Sequence, residues 1–222
     1  QSHVTVENAY ANVADAIVRK GSAELRVEGR FSLGFPRADR GEEINARFTV
    51  DKWPLPDLRH AFDLDEYPLN GGLSGEFHLY GAYKEPFGFG RADVSSAAAY
   101  GETFAGATSA IRFEGKGARF DGLEFRKGAG LIRGAAHITW GGTYSFNADG
   151  RQIPVETVDA LNLPKTPLTG VLDFSAAGSG VFANMEYDAT VRIRDLYIAD
   201  EGIGDVNGKI GMRGDNINFE FQ

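Results

Sequence analysis

The stretch Ile132-Arg133-Gly134-Ala135-Ala136-His137-Ile138-Thr139-Trp140 decides the fold, because its apolar or small residues fall at every second position. Successive side chains of a β-strand point to opposite faces, so this spacing predicts a strand with one apolar face and one wet face. The same alternation returns in Ala23–Phe35, Ile44–Val50 and Tyr144–Ala148. Many such strands at short spacing predict a mostly antiparallel, all-β fold.

Glycine-containing pairs lie between these strands and predict turns. Composition agrees with this pattern, since the chain of 222 residues contains 29 glycines and 16 phenylalanines, a combination that favours strands and turns over helices. Turns are predicted at Gly71-Gly72, Gly115-Lys116-Gly117, Asp121-Gly122, Gly141-Gly142 and Asn207-Gly208.

The alternating pattern is organised in a repeat of about one hundred residues. Trp53-Pro54-Leu55-Pro56 is followed by Tyr67-Pro68-Leu69-Asn70-Gly71, and Ile153-Pro154-Val155 is followed by Thr166-Pro167-Leu168-Thr169-Gly170. The first prolines are 100 residues apart (154 − 54) and the second prolines are 99 residues apart (167 − 68). We therefore expect about two copies, approximately 16–125 and 126–222, in a chain whose ends look cut from a longer repetitive protein.

One segment of each copy has helical spacing instead of strand spacing. Proline precedes both segments, and proline is well tolerated in the first turn of a helix. The sequence therefore predicts one short helix per repeat that covers part of the sheet, with an irregular loop as the alternative. The residues on the predicted helical faces are Leu55, Leu58 and Phe62 in the first copy, and Val155, Val158 and Leu161 in the second.

Charge and chemistry argue against several classes of function. The net charge of −8 disfavours a nucleic-acid partner, which calls for a basic surface. The chain contains no cysteine, so it has no disulfide and no thiolate nucleophile or metal ligand. Two acidic clusters, Asp63-Asp65-Glu66 and Asp200-Glu201-Asp205, lack the spacing of an EF-hand loop and fit solvated turns better. With no nucleophile elbow, Walker loop or metal-spaced histidine pair, we expect no enzyme activity, no cofactor and no metal site.

The order of these motifs resembles the repeating signature of the TamB family and the related AsmA-like proteins. The signature is carried by Pro68–Leu73 with Gly75 and Gly81 downstream, and by Pro167–Leu172 with Gly178 and Gly180 downstream. The resemblance implies a long sheet curled into an open hydrophobic groove, a β-taco. It also implies a Gram-negative envelope protein that crosses the periplasm from an inner-membrane anchor helix, which the sequence does not contain.

The resemblance further implies phospholipid transport to the outer membrane and an outer-membrane barrel of the Omp85 type as a partner, beside further repeats of the same chain. Acyl chains favour continuous apolar surface at about 0.8 kcal/mol per buried methylene, while headgroups favour water. The residues predicted to line the groove are Leu25, Val27, Phe31, Ile44, Phe48, Val50, Phe77, Leu79, Ile111, Phe113, Phe120, Ile132, Ile138, Trp140, Tyr144, Phe146, Leu172, Phe174, Val191, Ile193, Ile210, Met212, Ile217, Phe219 and Phe221.

Two other functions fit the same sequence. Exposed strand edges would let a scaffold or chaperone module add onto the strands of an unfolded outer-membrane protein. A carbohydrate-binding or adhesion β-sandwich would instead bury its apolar faces in a closed core and expose an aromatic platform.

Overall fold

A computed structural model describes residues 2–34, 38–61, 65, 67–162, 166–214 and 216–222. The strands of the first half are β1 (Ser2–Glu7), β2 (Tyr10–Lys20), β3 (Ala23–Ser32), β4 (Ile44–Pro54), β5 (Leu69–Gly81), β6 (Pro86–Ala99), β7 (Glu102–Thr103) and β8 (Gly106–Glu114). Those of the second half are β9 (Gly117–Lys127), β10 (Gly130–Thr139), β11 (Thr143–Pro154), β12 (Leu168–Val181), β13 (Glu186–Ile198), β14 (Glu201–Arg213) and β15 (Asn216–Phe221).

All fifteen of these strands belong to one antiparallel sheet that follows chain order, except that the short β7 pairs only with β6. Each strand therefore runs opposite to its neighbour, and the sheet ends at β1 on one side and β15 on the other. The predicted all-β, antiparallel architecture is confirmed. The described strands form one connected sheet and not two separate sheets.

The prediction of one helix per repeat is half correct. The first segment forms helix α1 (Leu55–Ala61), which packs against β4 and β5, whereas Phe62 lies outside the described residues. The second segment forms two 3₁₀ turns, Val155–Thr157 and Asp159–Leu161, because Val158 between them has an extended backbone. Three β-branched residues in Val155–Val158 lower the helix propensity of this segment.

Three of the predicted turns are wrong, because the glycines lie inside strands. Gly71-Gly72 falls in β5, Asp121-Gly122 in β9 and Asn207-Gly208 in β14. Strand β3 also ends at Ser32, before the predicted end at Phe35, a residue outside the described part of the chain.

β-bulges recur at the spacing of the sequence repeat. Lys52 in β4 and Gln152 in β11 both have positive φ, 50° and 53°, and lie 100 residues apart (152 − 52). Ser96 in β6 and Asp195 in β13, with φ of 48° and 49°, lie 99 residues apart (195 − 96). The hydrogen-bond register shifts at all of these places. A bulge bends its strand and increases the local twist, so both halves of the sheet bend at matching places.

One aromatic contact shows that the sheet curls. Tyr67 precedes the start of β5, and Phe182 follows the end of β12, six strand positions away along the sheet. A flat sheet would separate these strands by about 29 Å and would also place the two residues at opposite strand ends. Their ring centroids are nevertheless 6.0 Å apart, and Phe182 also lies 5.2 Å from the Tyr144 ring. The two rims of the sheet, defined by the opposite strand ends, therefore meet at this point.

The sheet has little enclosed core. The accessible surface is 13602 Å², against about 9,900 Å² for a compact monomer of 24.0 kDa. The only large side chains that are almost fully buried among the described residues are Ile153 and Val155, where the 3₁₀ turns pack on the sheet. Most apolar strand residues are instead partly buried, neither fully enclosed nor fully exposed.

Candidate functional site: a continuous apolar face

Hydrogen-bond register places apolar residues side by side across the whole sheet. Phe120 of β9 lies between Ile111 of β8 and Ala136 of β10, and the same alignment continues on both sides. Residues that are register partners in an antiparallel sheet point to the same face. The resulting Phe120 row crosses thirteen strands and consists of Ala16, Val27, Phe48, Phe77, Gly90, Ile111, Phe120, Ala136, Phe146, Gly178, Tyr187, Met212 and Ile217.

Two further rows on this face contain only apolar residues and glycine. The Phe113 row consists of Val13, Gly29, Ala46, Leu79, Gly88, Phe113, Ala118, Ile138, Tyr144 and Gly180. The Phe125 row consists of Trp53, Leu73, Val94, Ala107, Phe125, Ile132, Gly150, Phe174, Val191, Gly208 and Phe221. No charged residue interrupts any of the three rows.

A line of small residues separates the Phe120 row from the Phe125 row. This Ala148 row contains Gly75, Ala92 and Ser109 in the first half and, beyond the bulge in β9, Gly134, Ala148, Ala176 and Ala189 in the second half. Larger residues occupy it in β9, where Leu123 pairs with Gly134, and near both ends of the sheet. The side chains of the apolar face are therefore shortest along its middle, between two lines of larger side chains.

Glycines on this face leave room for neighbouring strands and rings. A Cβ atom on Gly134 would collide with the backbone carbonyl oxygen of Asn147, so the two strands approach closely there. Other glycines lie beneath aromatic rings of the next strand, where a Cβ atom would collide with the ring. The ring-on-glycine pairs are Phe77 on Gly90, Phe146 on Gly178, Phe174 on Gly150 and Phe221 on Gly208.

The opposite face is mainly polar. Cross-strand ion pairs cover it, for example Arg133–Glu124 at 3.1 Å and Arg192–Asp205 at 2.9 Å. Both pairs are exposed, and such pairs contribute about 0–1 kcal/mol each to stability. Their main effect is to keep this face in water, so that the two faces of the sheet differ sharply in polarity.

An aromatic cluster interrupts the polar face on β5 and β6. Phe89 and Phe87 are 60% and 48% exposed, and the Tyr80 ring stacks on Phe87 with centroids 6.2 Å apart. His78 completes the cluster, with its ring centroid 5.5 Å from that of Phe89. This cluster is smaller than the apolar face and lies on the other side of the sheet.

The described chain also has open depressions along β11–β15 that are lined mainly by polar-face residues. One of them has a volume of about 630 Å³ and is bordered by Asp173, Arg192, Lys209 and Glu220. The side chains around it combine both charges, without a cluster of one sign. The apolar face is therefore the more distinctive candidate site, although it is an open surface and not an enclosed cavity.

Most of the residues predicted to line a groove share this face. The register and strand alternation bring together all of them except Trp140, which follows the end of β10, is 48% exposed and donates its indole N–H to the Gly115 carbonyl at 2.6 Å. Sequence alternation missed Phe125, because the bulge in β9 puts Phe120 and Phe125 on one face at an odd spacing. It missed Leu73 and Val94 as well, which lie on the same face in the Phe125 row.

A polar cluster fixes one rim of the sheet. The Lys127 side chain is only 4% exposed, and its ammonium group donates to Glu102 Oε2, Asp159 Oδ2 and the Thr103 carbonyl, each at 2.7 Å. These bonds join the ends of β9 and β7 to the second 3₁₀ turn. Hydrogen bonds from Lys127 and from the backbone and hydroxyl of Thr103 hold the pKa of Asp159 well below its usual range.

The bulge in β11 has its own hydrogen-bond partner. The backbone N–H of Gln152 donates to Asp173 Oδ1 at 2.8 Å, and this bond is the main reason that the pKa of Asp173 is lowered. In β4, the N–H of Lys52 donates to the Ser74 hydroxyl at 3.0 Å. Both bulges are therefore satisfied by a side chain of the following strand.

The described ranges contain neither a metal-binding cluster nor a membrane-spanning helix. No group of three or more His, Asp or Glu side chains there could hold a metal ion, and the acidic residues Asp63 and Glu66 lie outside those ranges. Helices of sufficient length and apolarity to cross a membrane are absent from the same part of the chain. No protein family, curated protein or solved structure matches this chain.

Proposed function

We propose that this chain is a module of a lipid-transporting β-groove, in which the apolar face of the curled sheet carries phospholipid acyl chains. The observation that carries the proposal is the Phe120 row, an uncharged line that passes through thirteen strands while the opposite face is polar. Exposed contiguous apolar surfaces of this extent are rare on soluble monomers and mark sites of binding.

The curled shape supports acyl chains as the ligand. The Ala148 row leaves a low track along the middle of the face, and the larger rings of the neighbouring rows flank it. A chain lying in this track would bury its methylenes at about 0.8 kcal/mol each. The open side of the sheet would leave the headgroup in water, so the face would accept many lipids and would let them slide along the sheet.

The resemblance to the TamB and AsmA-like proteins suggests the cellular setting. We place the chain in the periplasm of a Gram-negative cell, as part of a protein anchored in the inner membrane. Its transport would support outer-membrane biogenesis, with further repeats extending the groove and an Omp85-type barrel as a partner.

The proposal is tested by paired substitutions at adjacent residues on opposite faces. Ile138→Glu places a carboxylate on the apolar face, whereas His137→Glu places one on the polar face of the same strand. We expect the unmodified chain to co-purify with phospholipid, detected by extraction and mass spectrometry. Ile138→Glu should reduce bound lipid and the transfer of a fluorescent phospholipid between vesicles at least fivefold, because a buried carboxylate next to an acyl chain is unfavourable.

The polar-face variant His137→Glu serves as the control and should retain lipid binding and transfer. Circular dichroism must show that both variants keep the strand content of the parent. Lipid-free parent protein, or equal transfer by the two variants, would count against a lipid-carrying face.

A further inference from the structure

The aromatic cluster of the polar face forms a second candidate binding site. In the register of β5 with β6, Tyr80 pairs with Phe87 and His78 pairs with Phe89, so the four rings fill two adjacent rows. Strand spacing and rise put their Cα atoms at the corners of a rectangle of about 5 Å by 7 Å. Tyr80, Phe87 and Phe89 are each at least 39% exposed, whereas phenylalanine is among the most buried residue types. The cluster is therefore a compact apolar surface within a polar face.

Four polar side chains frame this surface. Register places Asn45 and Arg47 of β4 beside the two rings of β5, and Arg112 and Glu114 of β8 beside the two rings of β6. An amide, two guanidinium groups and a carboxylate therefore surround the aromatic cluster. Each of these groups offers several hydrogen-bonding positions, and together they supply both donors and acceptors.

Contacts within the cluster hold its rings in place. The His78 ring lies 5.5 Å from the Phe89 ring and 5.8 Å from the Tyr80 ring, measured between centroids. A hydrogen bond of 2.9 Å between His78 Nε2 and Asn45 Oδ1 ties the cluster to its frame. The Phe87 ring rests on the turn at Gly115, where an added Cβ atom would lie 3.1 Å from it. Rings that are already positioned lose little conformational freedom when a ligand binds.

The charges around the cluster are balanced. A side chain of opposite charge lies within 4.0 Å of each charged member of the frame: Glu76 beside Arg47, Asp121 beside Arg112 and Arg119 beside Glu114. With both signs interspersed, the site offers little attraction to a phosphate, a nucleic acid or a strongly acidic peptide. The ligand that fits is uncharged, has a flat apolar side to cover the rings and carries hydroxyl groups around its edge.

We propose that the aromatic cluster and its polar frame bind a neutral oligosaccharide. The C–H groups on one face of a pyranose ring stack on the negative face of an aromatic ring, and the hydroxyl groups at its edge hydrogen-bond to polar side chains. A saccharide whose rings form a flat ribbon matches this surface best. The cluster lies on the opposite side of the sheet from the Phe120 row, so saccharide binding does not require that the apolar face carries lipid.

Isothermal titration calorimetry tests the proposal with probes of equal length. Cellohexaose and chitohexaose are the neutral saccharides, and an alginate hexasaccharide is the acidic one. We expect the unmodified chain to bind at least one neutral probe with a Kd below about 1 mM, and the acidic probe at least fivefold more weakly. Phe89→Ala removes the most exposed ring of the cluster and should weaken neutral binding at least tenfold. Tyr100→Ala is the matched control, because Tyr100 is an exposed aromatic residue that follows β6 outside the cluster.

A substitution in the frame separates ligand binding from stabilisation of the sheet. Arg112→Met and Arg133→Met each remove a guanidinium group from the polar face, and the two side chains are similarly exposed, at 63% and 69%. Only Arg112→Met should weaken saccharide binding, at least threefold and with unchanged strand content by circular dichroism. Equal binding by Phe89→Ala and the parent, no binding of either neutral probe, or preference for the acidic probe would overturn the proposal. Binding of a proline-rich peptide alone would assign the cluster to a protein partner and overturn it as well.

Discussion

Glycines on the apolar face allow close packing between strands, whereas glycine more commonly serves to form turns. Gly134→Ala should lower the free energy of unfolding by about 1–3 kcal/mol, because the added methyl group collides with the Asn147 carbonyl and forces the strands apart. Gly141→Ala is the matched control, since its methyl group would be 3.7 Å from the nearest atom, the Thr139 hydroxyl. Urea unfolding followed by circular dichroism measures both, and equal stabilities of the two variants would contradict close packing at Gly134.

Substitution of Lys127 tests whether its cluster with Glu102 and Asp159 at the rim of the sheet stabilises the fold. Lys127→Met leaves the carboxylates of Glu102 and Asp159 without their shared partner, and we expect a loss of about 1–3 kcal/mol. The control is Lys20→Met, because Lys20 ends β2, is 62% exposed and pairs with Asp57 of α1 at 2.7 Å. This exposed pair should contribute less than about 1 kcal/mol. Chemical unfolding should rank the two variants in that order, and the reverse order would be inconsistent with a buried ammonium group.

Asp159 gives the cluster a dependence on pH. Its pKa is lowered in the folded state, so its contribution to stability is present above the ordinary carboxyl pKa and is lost as the pH falls toward the folded value. The parent should therefore melt at a higher temperature than Asp159→Asn at pH 7, and the gap should narrow progressively below about pH 4. A gap that stays constant from neutral pH to about pH 2.5 would show that the Asp159 charge contributes nothing.

At the scale of single elements, the bulged strands shape the sheet. Gln152→Gly should raise the free energy of unfolding by about 0.5–1 kcal/mol, because Gln152 has a positive φ of 53° and glycine adopts that backbone without strain. Ser145→Gly in the same strand should lower it by a similar amount, because glycine weakens an ordinary extended segment. Thermal unfolding of the two variants should show shifts of opposite sign, and destabilisation by both would argue that the bulge carries no backbone strain.

Bulges and strand pairing also explain which residues of the apolar face could not be predicted from the sequence. Period-two alternation identified the antiparallel sheet and most of one face, since it depends only on neighbouring residues within a strand. Phe125 was missed because an extra residue in β9 shifts the phase within that strand. Leu73 alternates in phase with Phe77 in β5 and was missed because the preceding Gly71-Gly72 looked like a turn. Gly208 looked like a turn residue because the ring that it supports, Phe221, belongs to a different strand. Register between strands is a tertiary property, and no local pattern reports it.

At the scale of the whole molecule, the sheet behaves as a curved surface with two unlike sides. Tyr67 and Phe182 bring opposite rims together, and the accessible area exceeds that expected for a compact monomer of this mass. The recurrence of bulges about one hundred residues apart suggests that length and curvature are both set by the repeat. The boundaries of the two predicted copies remain a prediction.

The most direct test of a lipid-carrying face compares photo-crosslinking at two adjacent residues. Benzoyl-phenylalanine is placed at Phe120, in the middle of the longest apolar row, or at Arg119, which points to the polar face of the same strand. The protein is irradiated with phospholipid and the adducts are measured by mass spectrometry. If acyl chains lie on the apolar face, lipid adducts at position 120 should be at least ten times more abundant than at position 119. Equal adducts at the two positions, or none at position 120, would contradict lipid binding by this face.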